Sequence, residues 1–373
     1  MFKNSNKIGK GHNPDYFFIL CIVLLTIFGL VMLSSASSDL GKKKFDDTFY
    51  YLKHQLIYGL SLGIFGFLAA SGIYYRKLER YAVPFLIINI VLLILIFTNL
   101  GSSHGLATRW LDLGFFSFQP AELLKFTFII YLAAWLSNKK INRQTSFLGG
   151  WLPFLVICGV VAFLVFKQPA TTTVLVVLAS ALILYFISGA RLSFIVGTLL
   201  LGILAVGILI SSSPYRFERV KSFLNKESVN IQAEGFHQNQ ALIAIGTGGF
   251  WGVGFGQSTT KFRYLPEPIG DSIFAVIAEE LGFIGALILI TVFVALIIRG
   301  FLIAKHSQDQ FAKLIVVGLT SIIAIQVFVH IAAISGLIPL TGVPLPFISY
   351  GGTALAIFLT MSGVIVNISK YTS

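Results

Sequence analysis

The sequence is poor in charged residues, which make up 11% of its 373 positions against about 25% in soluble proteins. It holds two cysteines, Cys21 and Cys158, and both fall within apolar runs. This placement indicates neither a disulfide framework nor a cysteine-ligated metal site, and it leaves the redox compartment open. The six histidines show no H-E-x-x-H or comparable spacing, so the sequence identifies no metal.

Motifs for binding nucleotides are also missing. The glycines of 241–256 fit neither the G-x-G-x-x-G pattern nor a P-loop, and no β-α-β context surrounds them. A formal net charge of +12 could indicate nucleic acid, but the basic residues are spread over short gaps between apolar runs rather than gathered in one patch. We therefore expect no nucleic-acid partner. No internal repeat of transporter type is evident, which argues against an inverted-repeat carrier.

What the sequence does hold is a series of apolar runs, and 56% of its residues are hydrophobic. Runs of about 20 apolar residues are long enough to cross a bilayer as helices. The predicted spans are 16–36, 54–72, 81–100, 120–136, 151–166, 172–187, 192–211, 271–298, 314–337 and 347–368. The sequence thus predicts an all-α, polytopic membrane protein of about ten helices, forming a single membrane domain over 1–373.

The basic residues of the gaps predict an orientation. The even-numbered gaps and the two tails carry fourteen Lys and Arg, whereas the first, third, fifth and ninth gaps carry six. Both termini are therefore predicted to be cytoplasmic, with Lys42, Lys43 and Lys44 as outward-facing exceptions. The seventh gap, 212–270, is the one long loop and is predicted to lie outside the cytoplasm, with short amphipathic or re-entrant elements.

Asp271 stands where this long polar gap gives way to the eighth apolar run. An Asp at a helix start can serve as an N-cap that accepts hydrogen bonds from free backbone N–H groups. A half-desolvated carboxylate at the mouth of a membrane helix is also placed to take a proton from a substrate hydroxyl. The residues by themselves leave both interpretations open.

Other polar residues lie where they are expensive, since a charge at the centre of a span costs roughly 2.5 to 3.5 kcal/mol. Glu122 and Lys125 share a helix face, either as a self-neutralising pair or as the lining of a polar cavity. Arg109 is either an interface anchor or a pyrophosphate ligand, because its planar fork makes bidentate contacts. His330 is alone in the ninth span, where a helix–helix hydrogen bond is commoner than catalysis.

Three stretches in this order resemble the SEDS family, which includes FtsW, RodA and SpoVE, and the match runs nearly end to end. The stretches are Arg109-Trp110 followed by 119–122, then 264–267 with 279–282, and finally Pro346-Phe347-Ile348-Ser349-Tyr350-Gly351-Gly352. The residues 214–220 and 249–256 look closer to the division-type FtsW branch than to RodA.

The resemblance implies a peptidoglycan glycosyltransferase of the bacterial cytoplasmic membrane that polymerises lipid II at the outer face, in cell division or cell-wall growth. Its partners would be a class B penicillin-binding protein and other divisome or elongasome proteins. Asp271 would be the general base. The substrate-binding positions would be Arg109, Glu122, Lys125, Gln240, Lys261, Glu267 and Ser349. Arg109 and Lys261, or a divalent cation, would stabilise the departing pyrophosphate.

Two other functions fit the same residues. A lipid II flippase could use the Glu122 and Lys125 pair as a cavity lining, and a non-catalytic scaffold would only hold its penicillin-binding protein. The chain also departs from the family pattern at several positions. Ile269-Gly270 replaces the usual His-Thr before the catalytic Asp, and Ser272 replaces the Phe after it. Ala170 stands where a carboxylate is usual, and His237 where Gln is common.

The topology can be tested at Ser228, within the long gap. A Ser228→Cys variant should react with a membrane-impermeant thiol reagent in intact cells, because the charge asymmetry places the gap outside the cytoplasm. Labelling that requires the inner face to be opened to the reagent would overturn the orientation, and with it the outer location of Asp271.

Overall fold

The structure is a computed structural model that describes residues 11–104, 107–112, 114, 117–138, 143–168, 170–211, 217 and 234–372. Its helices are α1 Tyr16–Phe45, α2 Tyr50–Gly72, α3 Arg76–Leu95, α4 Pro120–Ser137, α5 Phe147–Phe166, α6 Thr171–Ile187, α7 Leu192–Ser211, α8 Glu234–Thr247, α9 Thr260–Arg263, α10 Ile273–Lys305, α11 Gln310–Ile334 and α12 Gly352–Ser369. Its strands are β1 Gly101–His104, β2 Ala107–Asp112 and β3 Ser117–Phe118.

Each of the ten predicted spans coincides with one helix, namely α1 to α7 and α10 to α12. Eight of these helices are long and apolar enough to cross a membrane, while Thr171–Ile187 and Leu192–Ile208 are apolar but shorter. The fifth span, which looked short in the sequence, gains a first turn from Phe147, where Ser146 Oγ accepts a hydrogen bond of 3.0 Å from Gly149 N. The polytopic membrane fold is therefore confirmed.

The chain is mostly helical, as predicted, and the gap between α3 and α4 adds a small antiparallel sheet. Its strand order is β1-β2-β3, and Leu111 pairs with Phe118 across β2 and β3. This gap is too polar to continue either helix, and strand pairing satisfies its backbone groups. The sheet carries Arg109 on β2, immediately before the start of α4.

The interior of the bundle is formed by α4, α11 and α12. In each of these helices 72% of the residues in the most apolar 18-residue stretch are buried, against 17% in α2. The contact between α2 and α12 is close because it is lined by glycines. A methyl group on Gly63 would lie 2.4 Å from Leu359 Cδ1, and one on Gly363 would lie 2.5 Å from Phe67 O. Small residues of this kind let membrane helices pack backbone to backbone.

The helix α10 is broken at Gly282, whose φ of 67° and ψ of −167° are far from helical values. In an unbroken helix, the carbonyls of Glu279 and Glu280 would accept hydrogen bonds from Phe283 and Ile284. The break separates these groups. Because a backbone group left unpaired in the membrane costs several kcal/mol, each needs another partner.

The glycine-rich segment 248–256 supplies those partners. The hydrogen bonds run from Val253 N to Glu279 O (3.0 Å), from Gly254 N to Glu280 O (3.0 Å), from Phe283 N to Gly249 O (2.9 Å) and from Ile284 N to Phe250 O (3.3 Å). The two backbones approach so closely that a Cβ on Gly282 would lie 2.3 Å from Gly252 N. The apolar glycine run of the sequence thus docks into the helix break.

The long gap 212–270 is described from residue 234 onward. Its helix α8 packs against α10 and α11, in line with the short elements predicted there. Ser228, the position chosen for thiol labelling, lies outside the described residues.

Both termini lie at the same end of the bundle. His12 Nε2 is 3.1 Å from Thr372 O, and Arg299 Nε donates to Asp15 Oδ2 at 2.6 Å. The far end of α10 reaches this face too, since Ser307 pairs with Thr372. Asp271, at the near end of α10, therefore lies at the opposite face from the termini. Which face is cytoplasmic stays a prediction.

The helix break predicts a severe effect for Gly282→Ala. A non-glycine residue in this conformation is strained by about 1 to 3 kcal/mol, and the added methyl also overlaps Gly252. We expect a clearly lower unfolding temperature in detergent, with faster proteolysis of the 248–256 segment.

The matched control is Gly202→Ala, because Gly202 lies in the middle of α7 and a Cβ there meets open space. Alanine is the better helix former, so this variant should unfold at or above the parental temperature. Equal unfolding temperatures for Gly282→Ala and the parent would contradict the proposed docking of the loop.

Candidate active site

Asp271 lies directly before α10, but it does not occupy the capping position. The helix begins at Ile273 and its N-cap is Ser272. Asp271 therefore stands one residue before the capping position. The carboxylate is half-buried and points toward the segment between α11 and α12. A methyl on Gly342 would lie 3.1 Å from Asp271 Oδ2, so the glycine leaves room beside the carboxylate.

The backbone just before Asp271 is fastened to the segment that precedes α12. Tyr350 N donates to Ile269 O at 2.8 Å, and Ser349 Oγ donates to Gly270 O at 2.8 Å. Ser349 Oγ also accepts a hydrogen bond of 2.8 Å from Leu345 N. Ser349, predicted to bind substrate, is therefore buried and holds the main chain next to Asp271.

A tight turn closes the same loop. The carbonyl of Glu267 accepts hydrogen bonds of 3.1 Å from the N–H groups of both Gly270 and Ser272. Glu267 itself adopts a positive φ of 46°, and its side chain is exposed. The structure thus shows Glu267 shaping the turn through its backbone, while its predicted contact with substrate stays a prediction.

A histidine from α8 reaches the residue after Asp271. His237 Nε2 lies 2.6 Å from Ser272 Oγ, which donates its own proton to Pro266 O at 2.8 Å. Because a serine hydroxyl has one proton, His237 Nε2 must be the donor in the first bond. Two positions that depart from the family pattern, His237 and Ser272, are thus in direct contact.

These elements surround a cavity of about 40 Å³, lined by Asp271, His237, His330 and the segment 340–343. His330 is buried in α11, and its Nδ1 donates to Val343 O at 2.6 Å. The sequence suggested a bond between helices, whereas the bond joins α11 to the segment that follows it. That His330 shares a cavity with Asp271 could not be read from the sequence, where 59 positions separate them.

Glu122 and Lys125 are paired, as their spacing predicts. Lys125 Nζ lies 2.7 Å from Glu122 Oε1 and donates to Gln326 Oε1 at 2.8 Å. Gln326 Nε2 in turn donates to Pro344 O at 2.8 Å. Both charged residues are buried, so the pair links α4 through α11 to the segment beside Asp271. Among the described atoms, Glu122 Oε2 has no partner.

Lys261 is buried in a cluster of polar groups. Its ammonium pairs with Glu280 Oε1 at 2.6 Å and donates to Ser35 Oγ and Gly256 O, both at 2.9 Å. An ammonium has three donors, and all three are used in this buried cluster. The geometry therefore does not support the predicted contact between Lys261 and a pyrophosphate. Lys261 instead links the loop before α9 to α1 and α10 through these three contacts.

Glu279 is a second fastening point that sequence reasoning left without a role. Its buried carboxylate accepts hydrogen bonds from Ser258 Oγ at 2.5 Å, from Thr259 N at 3.1 Å and from the Thr260 hydroxyl. A signal was present, since adjacent acids inside an apolar run demand partners. The partners themselves were not readable, because they come from a loop about 20 residues earlier in the chain.

The remaining predicted residues lie on surrounding elements. Arg109 is half-buried on β2, and its Nε donates to Gln168 O at 3.2 Å. Gln240 is half-buried on α8, three positions after His237 and so on the same helix face. Within the described residues, no three His, Cys, Asp or Glu side chains gather as a metal site. The divalent cation suggested by the family resemblance stays a prediction.

The fold and this site define a polytopic membrane protein with a half-buried carboxylate in a small polar cavity at one end of its bundle. Residues 15–373 match the FtsW, RodA and SpoVE family, described as cell cycle proteins. The chain belongs to this family, which confirms the resemblance seen in the sequence.

Relatives cover almost the whole chain. It is 37% identical to stage V sporulation protein E of Bacillus subtilis, over 97% of this chain and 99% of that protein. It is 39% identical to the probable peptidoglycan glycosyltransferase FtsW of Trichlorobacter lovleyi, over 95% and 93% of the two chains. The chain is thus FtsW-like, as the residues 249–256 indicated.

Two solved structures share the fold. One is a chain of a peptidoglycan synthase complex, with a TM-score of 0.78 and 24% identity over 96% of this chain and 99% of that one. The other is the rod shape determining protein RodA of Thermus thermophilus, with a TM-score of 0.71 and 23% identity over 96% and 98%. At these identities the likeness establishes the fold.

The buried ion pair gives a testable coupling. Lys125→Met leaves the Glu122 carboxylate charged and unpaired, and removing one partner of a buried pair costs about 3 to 5 kcal/mol. Each single change, Glu122→Leu or Lys125→Met, should therefore cost more than half of what the double change costs, measured by unfolding in detergent.

The exposed pair Asp39 and Lys43 serves as the control, since its charged atoms lie 2.5 Å apart, as close as those of the buried pair, but the Lys43 side chain is 57% exposed. Surface pairs contribute at most about 1 kcal/mol, so its double-mutant cycle should show little coupling. Additive losses at Glu122 and Lys125 would refute the idea that they act as one unit.

Proposed function

We propose that the chain is a peptidoglycan glycosyltransferase that polymerises lipid II, with Asp271 as its general base. The observation that carries this proposal is the placement of Asp271, half-buried at a polar cavity and outside the capping position of α10. Full-length relatives are named probable peptidoglycan glycosyltransferases, and this supports the reaction class.

In the proposed reaction, the 4-hydroxyl of an acceptor sugar attacks the anomeric carbon of a donor glycan. The hydroxyl proton passes to the Asp271 carboxylate as the new C–O bond forms. The bond from the anomeric carbon to the polyprenyl pyrophosphate breaks, and its electron pair leaves with the pyrophosphate. A carboxylate in a desolvated site is a stronger base than one in water, because burial disfavours its charged form.

The hydrogen bonds around Asp271 support this role because they fix the main chain on both sides of it. Ile269 and Gly270 are held by Tyr350 and Ser349, and Ser272 is held by His237. A catalytic group positioned in advance loses no energy to reorganisation during the reaction. The loop thus aims the carboxylate at the cavity before substrate arrives.

Stabilising the departing pyrophosphate requires positive charge. With Lys261 committed to Glu280, we assign this task to Arg109, whose planar guanidinium offers five donors in all. It lies on the sheet that leads into α4, the helix that carries Glu122 and Lys125. Gln240 stays a candidate for contact with the sugars, since it shares a face of α8 with His237.

The setting that we propose is the bacterial cytoplasmic membrane, with both termini in the cytoplasm and the 212–270 segment outside. Asp271 and the termini lie at opposite ends of the bundle, which is what this orientation requires.

The proposed partner is a class B penicillin-binding protein, which would cross-link the new strands. One solved protein of the same fold is a chain of a peptidoglycan synthase complex, and this supports an assembly of that kind.

The decisive variant is Asp271→Asn, which preserves size and polarity but cannot accept the hydroxyl proton. Losing a general base typically costs about 10² to 10⁴ in rate. We expect the purified variant to accumulate and unfold like the parent, and to make almost no glycan polymer from lipid II.

The same assay separates the other two functions. A flippase or a scaffold would yield no polymer even as the parental protein, whereas a polymerase yields strands without added enzymes. Polymerisation at near-parental rate by Asp271→Asn would remove the carboxylate from the mechanism. The matched comparison is the same change at an exposed acid with no assigned role, Asp112→Asn, whose side-chain oxygen can still accept from Gly114 N; it should retain far more activity than Asp271→Asn.

A further inference from the structure

We infer that His330 is a second substrate-contacting residue, which accepts a hydrogen bond from the acceptor sugar hydroxyl next to the attacking one. The inference rests on the proposed function and adds to it a residue that binds and orients the acceptor sugar. Its starting point is an unpartnered nitrogen at the cavity that contains Asp271.

The protonation of His330 follows from its hydrogen bond. Its Nδ1 lies 2.6 Å from Val343 O, and a carbonyl oxygen can only accept, so Nδ1 carries the proton. In a neutral imidazole the other nitrogen, Nε2, then presents a lone pair. The side chain is 2% exposed, and Nε2 has no hydrogen-bond partner among the described residues. A buried acceptor left in this state is destabilising.

The residue that carries the unpartnered nitrogen lines the same cavity as the proposed base, Asp271. Their shared wall is the segment 341–343. Val343 O fixes the imidazole, and Gly342 runs past Asp271 Oδ2, where a methyl would come within 3.1 Å. Because Gly342 has no side chain and a φ of 63°, nothing from this residue fills the space beside the carboxylate.

The size of the cavity limits what can enter. About 40 Å³ is enough for about three or four water-sized groups, since a water needs roughly 10 to 15 Å³ of such space. A sugar ring does not fit, but hydroxyl groups on its edge do. The missing partner of Nε2 is therefore a donor of hydroxyl size, and a sugar edge supplies several.

The attacking hydroxyl cannot be this donor. It has one proton, and that proton is directed to Asp271 for transfer. An acceptor for a second proton must therefore serve a second hydroxyl, and the nearest on the ring is the one at C3, adjacent to the attacking 4-hydroxyl. His330 would hold the 3-hydroxyl while Asp271 takes the proton of its neighbour, which fixes the rotation of the sugar about the attacking oxygen.

The test pairs a protein change with a substrate change. His330→Asn keeps an amide N–H at the position of Nδ1, so the bond to Val343 can form, but the side chain ends short of Nε2. With an acceptor that carries the 3-hydroxyl, this variant should lose about 3- to 10-fold in kcat/KM, the effect of one neutral hydrogen bond. The parent should lose the same factor when given a 3-deoxy acceptor.

Combining the His330→Asn variant with the 3-deoxy acceptor tests whether His330 contacts the 3-hydroxyl. If His330 contacts the 3-hydroxyl, His330→Asn loses nothing more with the 3-deoxy acceptor, because the interaction is already absent. His330→Gln, which can place an amide oxygen near the position of Nε2, should recover part of the preference for the 3-hydroxyl. If His330→Asn keeps the full parental preference for the 3-hydroxyl, the inference is wrong.

A control variant separates this effect from general damage to α11. Thr320→Val alters another buried, unpartnered group of the same helix, packed against Gly300 away from the cavity. It should keep both the parental rate and the parental preference for the 3-hydroxyl. Loss of that preference in Thr320→Val as well would count against a direct contact. A parental protein that makes no polymer would instead refute the proposed function itself, and the inference with it.

Discussion

The structure depends on one constraint, which is that a broken helix inside a membrane must find new partners for its backbone. At Gly282 the chain leaves helical geometry, and four hydrogen bonds from the glycine-rich segment replace the lost ones. The side chains of Glu279 and Glu280 then bind the next part of the same loop. The break thus fixes part of a long connection against α10, because backbone groups in a membrane need partners where water is absent.

A second centre of organisation is the segment between α11 and α12, on which three polar contacts converge. Gln326 donates to Pro344 and passes on the contact from the Glu122 and Lys125 pair, while His330 donates to Val343. From the same segment, Ser349 donates to the backbone before Asp271. A buried ion pair contributes little net stability compared with apolar packing. Its value here is positional, since it ties the bundle interior to the loop that carries the carboxylate.

The contacts also separate residues that build the site from residues that can act in it. Lys261 and Ser349 were predicted to bind substrate, yet their polar groups hold backbone and side chains in place. Asp271 and His330 instead face a cavity. Preorganised sites need both kinds of residue, because a catalytic group is only as precise as its supports.

The sequence by itself predicted the ten apolar helices, eight of which are long enough to cross a membrane, together with the family and the pairing of Glu122 with Lys125. These follow from local rules, since span length, hydropathy and helical spacing are read within about 20 residues. The tertiary structure decided that Ser272 rather than Asp271 occupies the N-cap position of α10, which partner Lys261 takes and that His330 lines the same cavity as Asp271. It also decided that the gap before α4 forms a sheet. Those facts depend on contacts between distant segments, and a polar residue in an apolar run shows that it needs a partner without showing which one.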